Sequence, residues 1–188
     1  MIASFDGVDG AGKTSLIEAL ATNLTYEGYD VLTHHFSMGD DAFDSKDPLK
    51  RAPVYFDAIR SVYDNKLLPH VESGDKAIVL LDRYKWTTYT YNLWGPLKGD
   101  KEKLKEWVNI IKNDLPEVDA DFFLAVSFET CHNRKGELTE EEYQTILDGY
   151  ISAKCDHGAF EFILDGADKL DQTVWLARNV IKSMMIRA

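Results

Sequence analysis

Eight residues near the N-terminus, Gly7 to Thr14, have the types and spacing of a phosphate-binding loop. They read GVDGAGKT, which matches the complete pattern G-x-x-x-x-G-K-[ST]. Gly7, Gly10 and Gly12 let the backbone curl closely around a phosphate, because no Cβ blocks the approach. The backbone N–H groups and the positive end of the next helix then face the anion. Lys13 can reach the β- and γ-phosphates of a nucleotide, and the Thr14 hydroxyl can bind Mg²⁺.

The segments on either side of this loop strengthen the interpretation. Residues 2–5 are short and mostly apolar, as a buried strand should be, and residues 15–21 are a good helix start. Strand, glycine loop and helix is the context that a phosphate-binding loop requires. The pattern therefore favours nucleotide binding over a chance glycine-rich turn.

A second chemical group follows the apolar segment 77–81. Asp82, Arg83 and Tyr84 come directly after it. Asp82 has the position of a carboxylate that helps to bind Mg²⁺, and Arg83 offers a planar fork for a phosphate. Ligands of parallel sheets bind beyond the carboxyl ends of the strands. This group and the glycine loop are thus expected at the same edge, although alone it would read equally well as a strand-end ion pair.

The elements that must position these residues alternate along the chain. Strands are predicted at 2–6, 31–36, 77–81, 122–127 and 160–164, and helices at 13–27, 52–72, 85–94, 100–114, 139–156 and 169–186. The segments 77–81 and 122–127 are nearly continuously apolar, which is typical of a parallel sheet covered on both faces. We expect one α/β domain over residues 1–188, a three-layer P-loop NTPase fold with a five-stranded parallel sheet flanked by helices.

Composition limits the partners of the chain. Its 188 residues carry a formal net charge of −11, so a nucleic-acid backbone should repel it, whereas a few focused cations still suffice for a small anion. No apolar run is long enough to span a bilayer and the N-terminus does not resemble a signal peptide, which predicts no membrane partner and a cytoplasmic location.

The cysteines and the paired histidines do not indicate a metal site. Cys131 and Cys155 lack metal-like spacing, which predicts free thiols. Adjacent His34 and His35 should point to opposite faces of a strand and not chelate zinc.

Together, the segments FDGVDGAGKT and DRY resemble the thymidylate kinases, which are P-loop nucleoside monophosphate kinases that phosphorylate dTMP. That family carries F-E-G-x-D-G-x-G-K-[ST], and then D-R-[YFH] after the third strand. Asp6 stands where the family usually has Glu. The resemblance implies transfer of the γ-phosphoryl group of ATP, with Mg²⁺, to dTMP or a close analogue. It also implies a symmetric homodimer, for which the aromatic-rich stretch 54–63 offers an apolar face.

The resemblance also implies an acceptor pocket. Phe56 and Arg60 are four residues apart and share a helix face; in the family this aromatic residue stacks on thymine and this arginine contacts the base. Thr88 would meet the thymine edge, and Tyr91 would exclude a ribose 2′-hydroxyl. The family's counterpart of Asp9 reaches the acceptor's 3′-hydroxyl. The residues assigned to the acceptor are Asp9, Phe56, Arg60, Arg83, Thr88, Tyr91 and Asn92, the last in place of the common Gln.

A mobile lid at about 133–142 is implied by the segment NRKGEL. Since the phosphate loop itself contains no arginine, Arg134 is the leading candidate for neutralising charge on the transferred phosphoryl group; a solvated charge cluster is the alternative. Ala167 lies in a segment that resembles the family's adenine contact. The implied ATP-binding residues are Gly7, Asp9, Gly10, Ala11, Gly12, Lys13, Thr14, Ser15, Arg134 and Ala167; the catalytic ones are Lys13, Arg83, Arg134 and Asp9; the Mg²⁺ ligands are Thr14 and Asp82.

Two departures from the family leave other functions open. After the second strand the family usually has an arginine that holds the acceptor phosphate, but here Met38 stands near that position. Lys50 or Arg51 could help Arg83 to replace it. Alternatively, the chain is a deoxynucleoside kinase, with Asp40 or Asp41 as general base, or a catalytically silent nucleotide-binding protein. The lid is also poor in arginine, with Glu140 where relatives often have a second one.

Overall fold

The computed structural model describes residues 1–36 and 47–186. Within these residues a five-stranded, fully parallel sheet has the order β2-β3-β1-β4-β5. This arrangement confirms the predicted α/β class and the five-stranded parallel sheet. The strands are β1 (Ile2–Asp6), β2 (Asp30–His35), β3 (Ala77–Asp82), β4 (Ala120–Ala125) and β5 (Phe162–Asp165).

Two strand starts differ from the prediction by two residues, for local reasons. β4 begins at Ala120, two residues early, because the Asp119 carboxylate accepts a hydrogen bond from the Ile2 N–H (2.7 Å) and draws this segment beside β1. β5 begins only at Phe162. Phe160 has a φ of 56°, outside the extended region, and its N–H donates to the Asp121 carboxylate.

Helices follow the predicted alternation, with one addition. The helix α2 begins four residues earlier than predicted, because Pro48 fits the first turn and the Asp47 carboxylate caps it by accepting from the Leu49 N–H. The described helices are α1 (Lys13–Tyr26), α2 (Pro48–Val62), α3 (Lys85–Thr88), α4 (Lys101–Asn113), α5 (Phe128–Lys135), α6 (Glu140–His157) and α7 (Leu170–Met185). π-Helical segments extend α2 at Tyr63–Leu67, followed by Leu68–Val71, and α3 at Tyr89–Trp94, followed by Gly95–Leu97.

The additional helix is α5, which the sequence pattern did not predict. Ser127 caps its start by accepting a hydrogen bond from the Thr130 N–H, and Gly136 ends it in the left-handed conformation. Both residues are ordinary helix-boundary signals, but the eight-residue helix between them is too short to show an apolar period. Among the described helices, none is long and apolar enough to cross a membrane.

Helices cover both faces of the sheet. α1 and α7 enclose one apolar layer around Phe5, Leu20 and Phe122. α2, α4, α6 and the Tyr89–Trp94 segment enclose the other, around Phe56 and Tyr150. With both faces buried, the free edge at the carboxyl ends of the strands is the place where loops form a site.

Three stacked aromatic rings should contribute strongly to the stability of this sheet. The Phe122 ring lies 4.8 Å from the Phe5 ring and 5.1 Å from the Phe162 ring, centroid to centroid, and it is fully buried. Phe122→Ala should therefore lower the free energy of unfolding by about 3 to 5 kcal/mol, measured by urea denaturation. Trp175, which is 60% exposed, is the control: Trp175→Ala should cost less than about 0.5 kcal/mol. Equal losses in both variants would contradict this assignment of the core.

Candidate active site

The glycine loop leaves β1 and packs tightly against α5 and β4. Gly7 has a φ of 156° and Gly10 a φ of 84°. A Cβ on Gly7 would lie 2.9 Å from the Leu124 carbonyl oxygen, and a Cβ on Gly10 would lie 2.9 Å from the Cys131 carbonyl oxygen. Side chains at these two positions would push the loop away from its support, which is why the motif needs glycine here.

Lys13 lies buried under the loop. Its ammonium donates to the carbonyl oxygens of Gly7 (2.8 Å) and Val8 (3.1 Å). Burial lowers the Lys13 pKa to about 8, and the positive charge of Arg83 acts in the same direction. The lysine is thus held in place by backbone carbonyls, at the start of α1, where an anion would also meet the helix N-terminus.

Thr14 and Asp82 meet as the sequence predicts, and His35 joins them. The Thr14 hydroxyl donates to Asp82 Oδ2 (2.7 Å), and His35 Nδ1 lies 3.2 Å from the same oxygen. The other carboxylate oxygen, Oδ1, is buried and has no hydrogen-bond partner in the described part of the chain. A hydroxyl beside a carboxylate with a free oxygen is a donor set that suits Mg²⁺, which prefers oxygen ligands and usually binds through one or two carboxylates plus phosphates.

Asp9 joins two residues from the other side of the cleft. Its two carboxylate oxygens accept from the Arg83 guanidinium and from the Tyr91 hydroxyl, the latter at 3.0 Å. The Arg83 guanidinium carbon also lies 5.2 Å from the centre of the Tyr91 ring. Burial acts to raise the pKa of Asp9, but the charges of Arg83 and Lys13 outweigh it and hold that pKa below its ordinary value. Arg83 has a φ of 72°, so the chain turns sharply directly after β3.

A buried polar network supports the floor of the site. Asp6 is fully buried and accepts from the Thr87 hydroxyl. The Thr87 hydroxyl lies 3.1 Å from the Tyr150 hydroxyl, which donates to the Gly7 carbonyl (3.3 Å). These contacts link the glycine loop to α3 and α6. Sequence reasoning missed Thr87 and Tyr150, because neither belongs to a local pattern that identifies a partner more than sixty residues away.

Arg134 bridges two loops instead of pointing away from the protein. Its guanidinium donates to the carbonyl oxygens of Gly10 (3.3 Å), Ala11 (3.1 Å) and Gly166 (3.0 Å). The side chain therefore connects the glycine loop to the segment that precedes Ala167. These contacts bring the predicted lid, phosphate and adenine segments together, while the catalytic role of Arg134 stays a prediction.

A cavity of about 480 Å³ joins these groups. Four cationic side chains line it, together with the carboxylates of Asp9 and Asp82: Lys13, Arg83, Arg134 and Lys135. This size lies in the range of small-molecule sites. Cations concentrated at one point in an acidic protein are what a small anionic ligand requires. Ser15 also lines the cavity.

The residues predicted to bind the acceptor's base lie apart from this cavity. The Phe56 ring is buried, 5.9 Å from the Trp107 ring. Arg60 donates to the Asp57 carboxylate and to the Asp114 carbonyl. Two further members of this set are buried, Thr88 and Asn92. The first turn of α2 contains Lys50 and Arg51. The residues that the structure describes do not include Met38, Asp40 or Asp41. Their roles in acceptor binding stay predictions.

Comparisons with known proteins find relatives that are named thymidylate kinases. No protein-family model matches the chain. A probable thymidylate kinase of Thermoplasma volcanium is 25% identical over 181 residues, which cover 92% of each chain. A thymidylate kinase of Thermoanaerobacter pseudethanolicus is 26% identical over 186 residues, covering 89% of this chain and 90% of the relative. Over about nine-tenths of its length the chain is therefore similar to proteins that are named thymidylate kinases.

A solved thymidylate kinase from Ehrlichia chaffeensis shows the same fold. It covers 96% of this chain with a TM-score of 0.71 at 17% sequence identity, and 98% of its own length is matched. The likeness extends over the whole thymidylate kinase fold and not only over the glycine loop.

Titration of Lys13 should control nucleotide binding. The charged ammonium is the form that pairs with phosphate, and the Lys13 pKa is about 8 in the free protein. Raising the pH above 8 removes that proton, so the affinity for ADP should fall by up to about tenfold per pH unit. Calorimetric titrations between pH 7 and 9 measure this effect. Lys13→Ala should bind ADP more weakly and show no such fall; a wild-type affinity that stays constant to pH 9 would contradict the lowered pKa.

Proposed function

We propose that the chain transfers the γ-phosphoryl group of ATP to the 5′-phosphate of dTMP, giving dTDP. The observation that carries this proposal is the Asp9–Arg83–Tyr91 cluster: Asp9 belongs to the phosphate loop and bonds to both partners, and Asp9 and Arg83 line the cavity. A phosphate loop alone would suit any nucleotide hydrolase. A guanidinium and a carboxylate next to it provide a second anchoring point, for a nucleotide that accepts the phosphoryl group. The relatives named thymidylate kinase support dTMP as that acceptor.

The donor half of the site consists of Lys13, Thr14 and Asp82. When ATP binds, the Lys13 ammonium exchanges the carbonyl oxygens of Gly7 and Val8 for phosphate oxygens. Thr14 and Asp82 would hold Mg²⁺. The bound ion would neutralise part of the negative charge of the phosphates. The loop N–H groups orient the β-phosphate without moving.

The acceptor half depends on Arg83 exchanging partners. In the ligand-free protein its guanidinium is bonded to Asp9. A monophosphate offers two oxygens in the geometry of that planar fork, so the guanidinium can turn its donors to the acceptor. Asp9 is then available to accept from the acceptor's 3′-hydroxyl, with Tyr91 beside the sugar. Phe56, Arg60, Thr88 and Asn92 would complete the base pocket.

Arg134 would complete the site when the lid closes. Its three carbonyl contacts are neutral hydrogen bonds, and phosphate oxygens bind a guanidinium more strongly. Moving Arg134 onto the transferred group would neutralise its developing charge. Closure of residues 133–142 would also expel water, which protects ATP from hydrolysis.

A panel of acceptors tests the proposal directly. Purified protein receives ATP and Mg²⁺ with each deoxynucleoside monophosphate, each deoxynucleoside, dUMP or hydroxymethyl-dUMP, and mass spectrometry identifies the products. We expect dTDP as the main product. Phosphorylation of thymidine but not of dTMP would support the deoxynucleoside kinase alternative, for which Met38 at the arginine position is the motivating feature. ATP binding without any acceptor-stimulated turnover would support the catalytically silent alternative.

We also propose a symmetric homodimer in the cytoplasm, formed through residues 54–63 of the α2 region. Val54 is exposed there, whereas Phe56 and Ile59 are buried in the protein's own core, so any interface must use the outer face. Light scattering should give twice the mass of one chain across micromolar concentrations. A monomer mass throughout that range would reject the homodimer.

Tyr91 should exclude ribonucleotides by occupying space. Tyr91→Ala removes the ring and should raise the use of a ribonucleoside monophosphate relative to dTMP, measured as the ratio of the two kcat/KM values. Tyr91→Phe is the matched control, since it keeps the ring and loses only the bond to Asp9. It should retain the discrimination. An unchanged ratio in Tyr91→Ala would show that the ring has no role in sugar selection.

Arg83 should be the main anchor of the acceptor phosphate. Arg83→Ala should lower kcat/KM for dTMP, since it removes a charge-assisted bidentate contact. The loss should correspond to about 2 to 3 kcal/mol of transition-state stabilisation. Arg178→Ala is the control, because that arginine pairs with Glu27 at the junction of α1 and α7, away from the cavity. If Arg83→Ala reduced activity with thymidine and with dTMP equally, there would be no dedicated acceptor-phosphate site.

A further inference from the structure

His35 is the last residue of β2, and the sheet places it directly opposite the metal-binding carboxylate proposed above. In the parallel register of β2 and β3, His35 pairs with Asp82. The next residue, Phe36, donates its N–H to the Asp82 carbonyl (3.0 Å), which continues the pairing to the edge of the sheet. The His35 side chain lines the same cavity as Lys13 and Thr14.

The two oxygens of Asp82 have different surroundings. Oδ2 receives the Thr14 hydroxyl at 2.7 Å and lies 3.2 Å from His35 Nδ1. Oδ1 is buried and lacks a hydrogen-bond partner among the described residues. The Thr14 donor and the imidazole nitrogen at ion-pair distance both lie at Oδ2 and restrict the orientation of the carboxylate, and the oxygen left over is the one available to a cation or its bound water.

We infer that His35 is a positioning residue, which holds Asp82 through Nδ1 in the orientation that binds a divalent cation together with a nucleotide. His35 acts through Asp82 and does not itself need to touch the substrate. The inference rests on the donor half of the proposed function, and it is independent of which acceptor is phosphorylated.

The atom that makes the contact gives the inference a specific test. Because Nδ1 faces a carboxylate, Nδ1 must carry the hydrogen. The amide nitrogen of an asparagine lies at nearly the same distance from the backbone as Nδ1, whereas that of a glutamine reaches the position of Nε2. His35→Asn should therefore keep the polar contact with Asp82, and His35→Gln should not.

His34 supplies a matched control from the same strand. Its ring contacts Phe36, 4.5 Å between centroids, and its Nδ1 lies 3.3 Å from the Lys66 ammonium. His34 is not among the described residues that line the cavity. His34→Ala therefore changes the same residue type one position away and leaves Asp82 with its donors.

The experiment measures the affinity for ADP by calorimetry, with Mg²⁺ and then with EDTA, so that no acceptor or turnover is involved. We expect wild type to bind ADP more tightly with Mg²⁺, and His35→Ala to lose about tenfold of that gain. In EDTA the affinity of His35→Ala should stay within about twofold of wild type, a change of less than about 0.5 kcal/mol. His35→Asn and His34→Ala should keep the gain, and His35→Gln should behave as His35→Ala does.

Two results would overturn the inference. One is a full Mg²⁺-dependent gain in His35→Ala; the other is rescue by His35→Gln as effective as rescue by His35→Asn. A thermal melt of each variant identifies misfolding, and if His35→Ala does not fold, the comparison of Asn with Gln decides. No Mg²⁺-dependent gain in wild type would instead reject the metal site of the proposed function, and loss of dTMP phosphorylation alone would leave this measurement unaffected.

Discussion

The parallel pairing of β1 with β3 and β4 is the constraint on which the site depends. It places the ends of these strands at one edge of the sheet, so that residues after Asp6, Asp82 and Ala125 lie side by side. The Thr14–Asp82 bond closes that edge by joining the first turn of α1 to β3. A one-residue change of register would turn Asp82 to the opposite face of the sheet and separate it from Thr14.

Three cations of the ligand-free site are already held by the protein. Lys13 and Arg134 are bonded to carbonyl oxygens, and Arg83 is bonded to Asp9. Nucleotides would exchange these contacts for phosphate oxygens, so the side chains lose little additional freedom on binding. Burial raises the pKa of Asp6. The pKa of Asp121 is raised to about 7, mainly by burial and to a smaller extent by the charge of Asp6.

Local patterns in the sequence predicted those parts of the molecule that depend on neighbouring residues. The glycine loop and the parallel sheet follow from short-range spacing and from apolar runs, and both are confirmed. Contacts between distant segments could not be predicted in the same way. The bond of Arg83 to Asp9 joins residues 74 apart, and the burial of Phe56 against Trp107 depends on how α2 and α4 pack. His35 had a usable signal, since it lies one residue before the end of the predicted strand 31–36, but only the observed strand order places that strand beside the one that carries Asp82.

The fate of the γ-phosphoryl group of ATP tests the central claim most directly. The protein is mixed with Mg²⁺, dTMP and ATP labelled in its γ-phosphate, and the labelled products are separated and counted. We expect wild type to move the label into dTDP, and Lys13→Ala, which should leave the fold intact, to reduce this transfer by at least about a hundredfold. Label found only in inorganic phosphate, or transfer to dTMP undiminished in Lys13→Ala, would contradict the account.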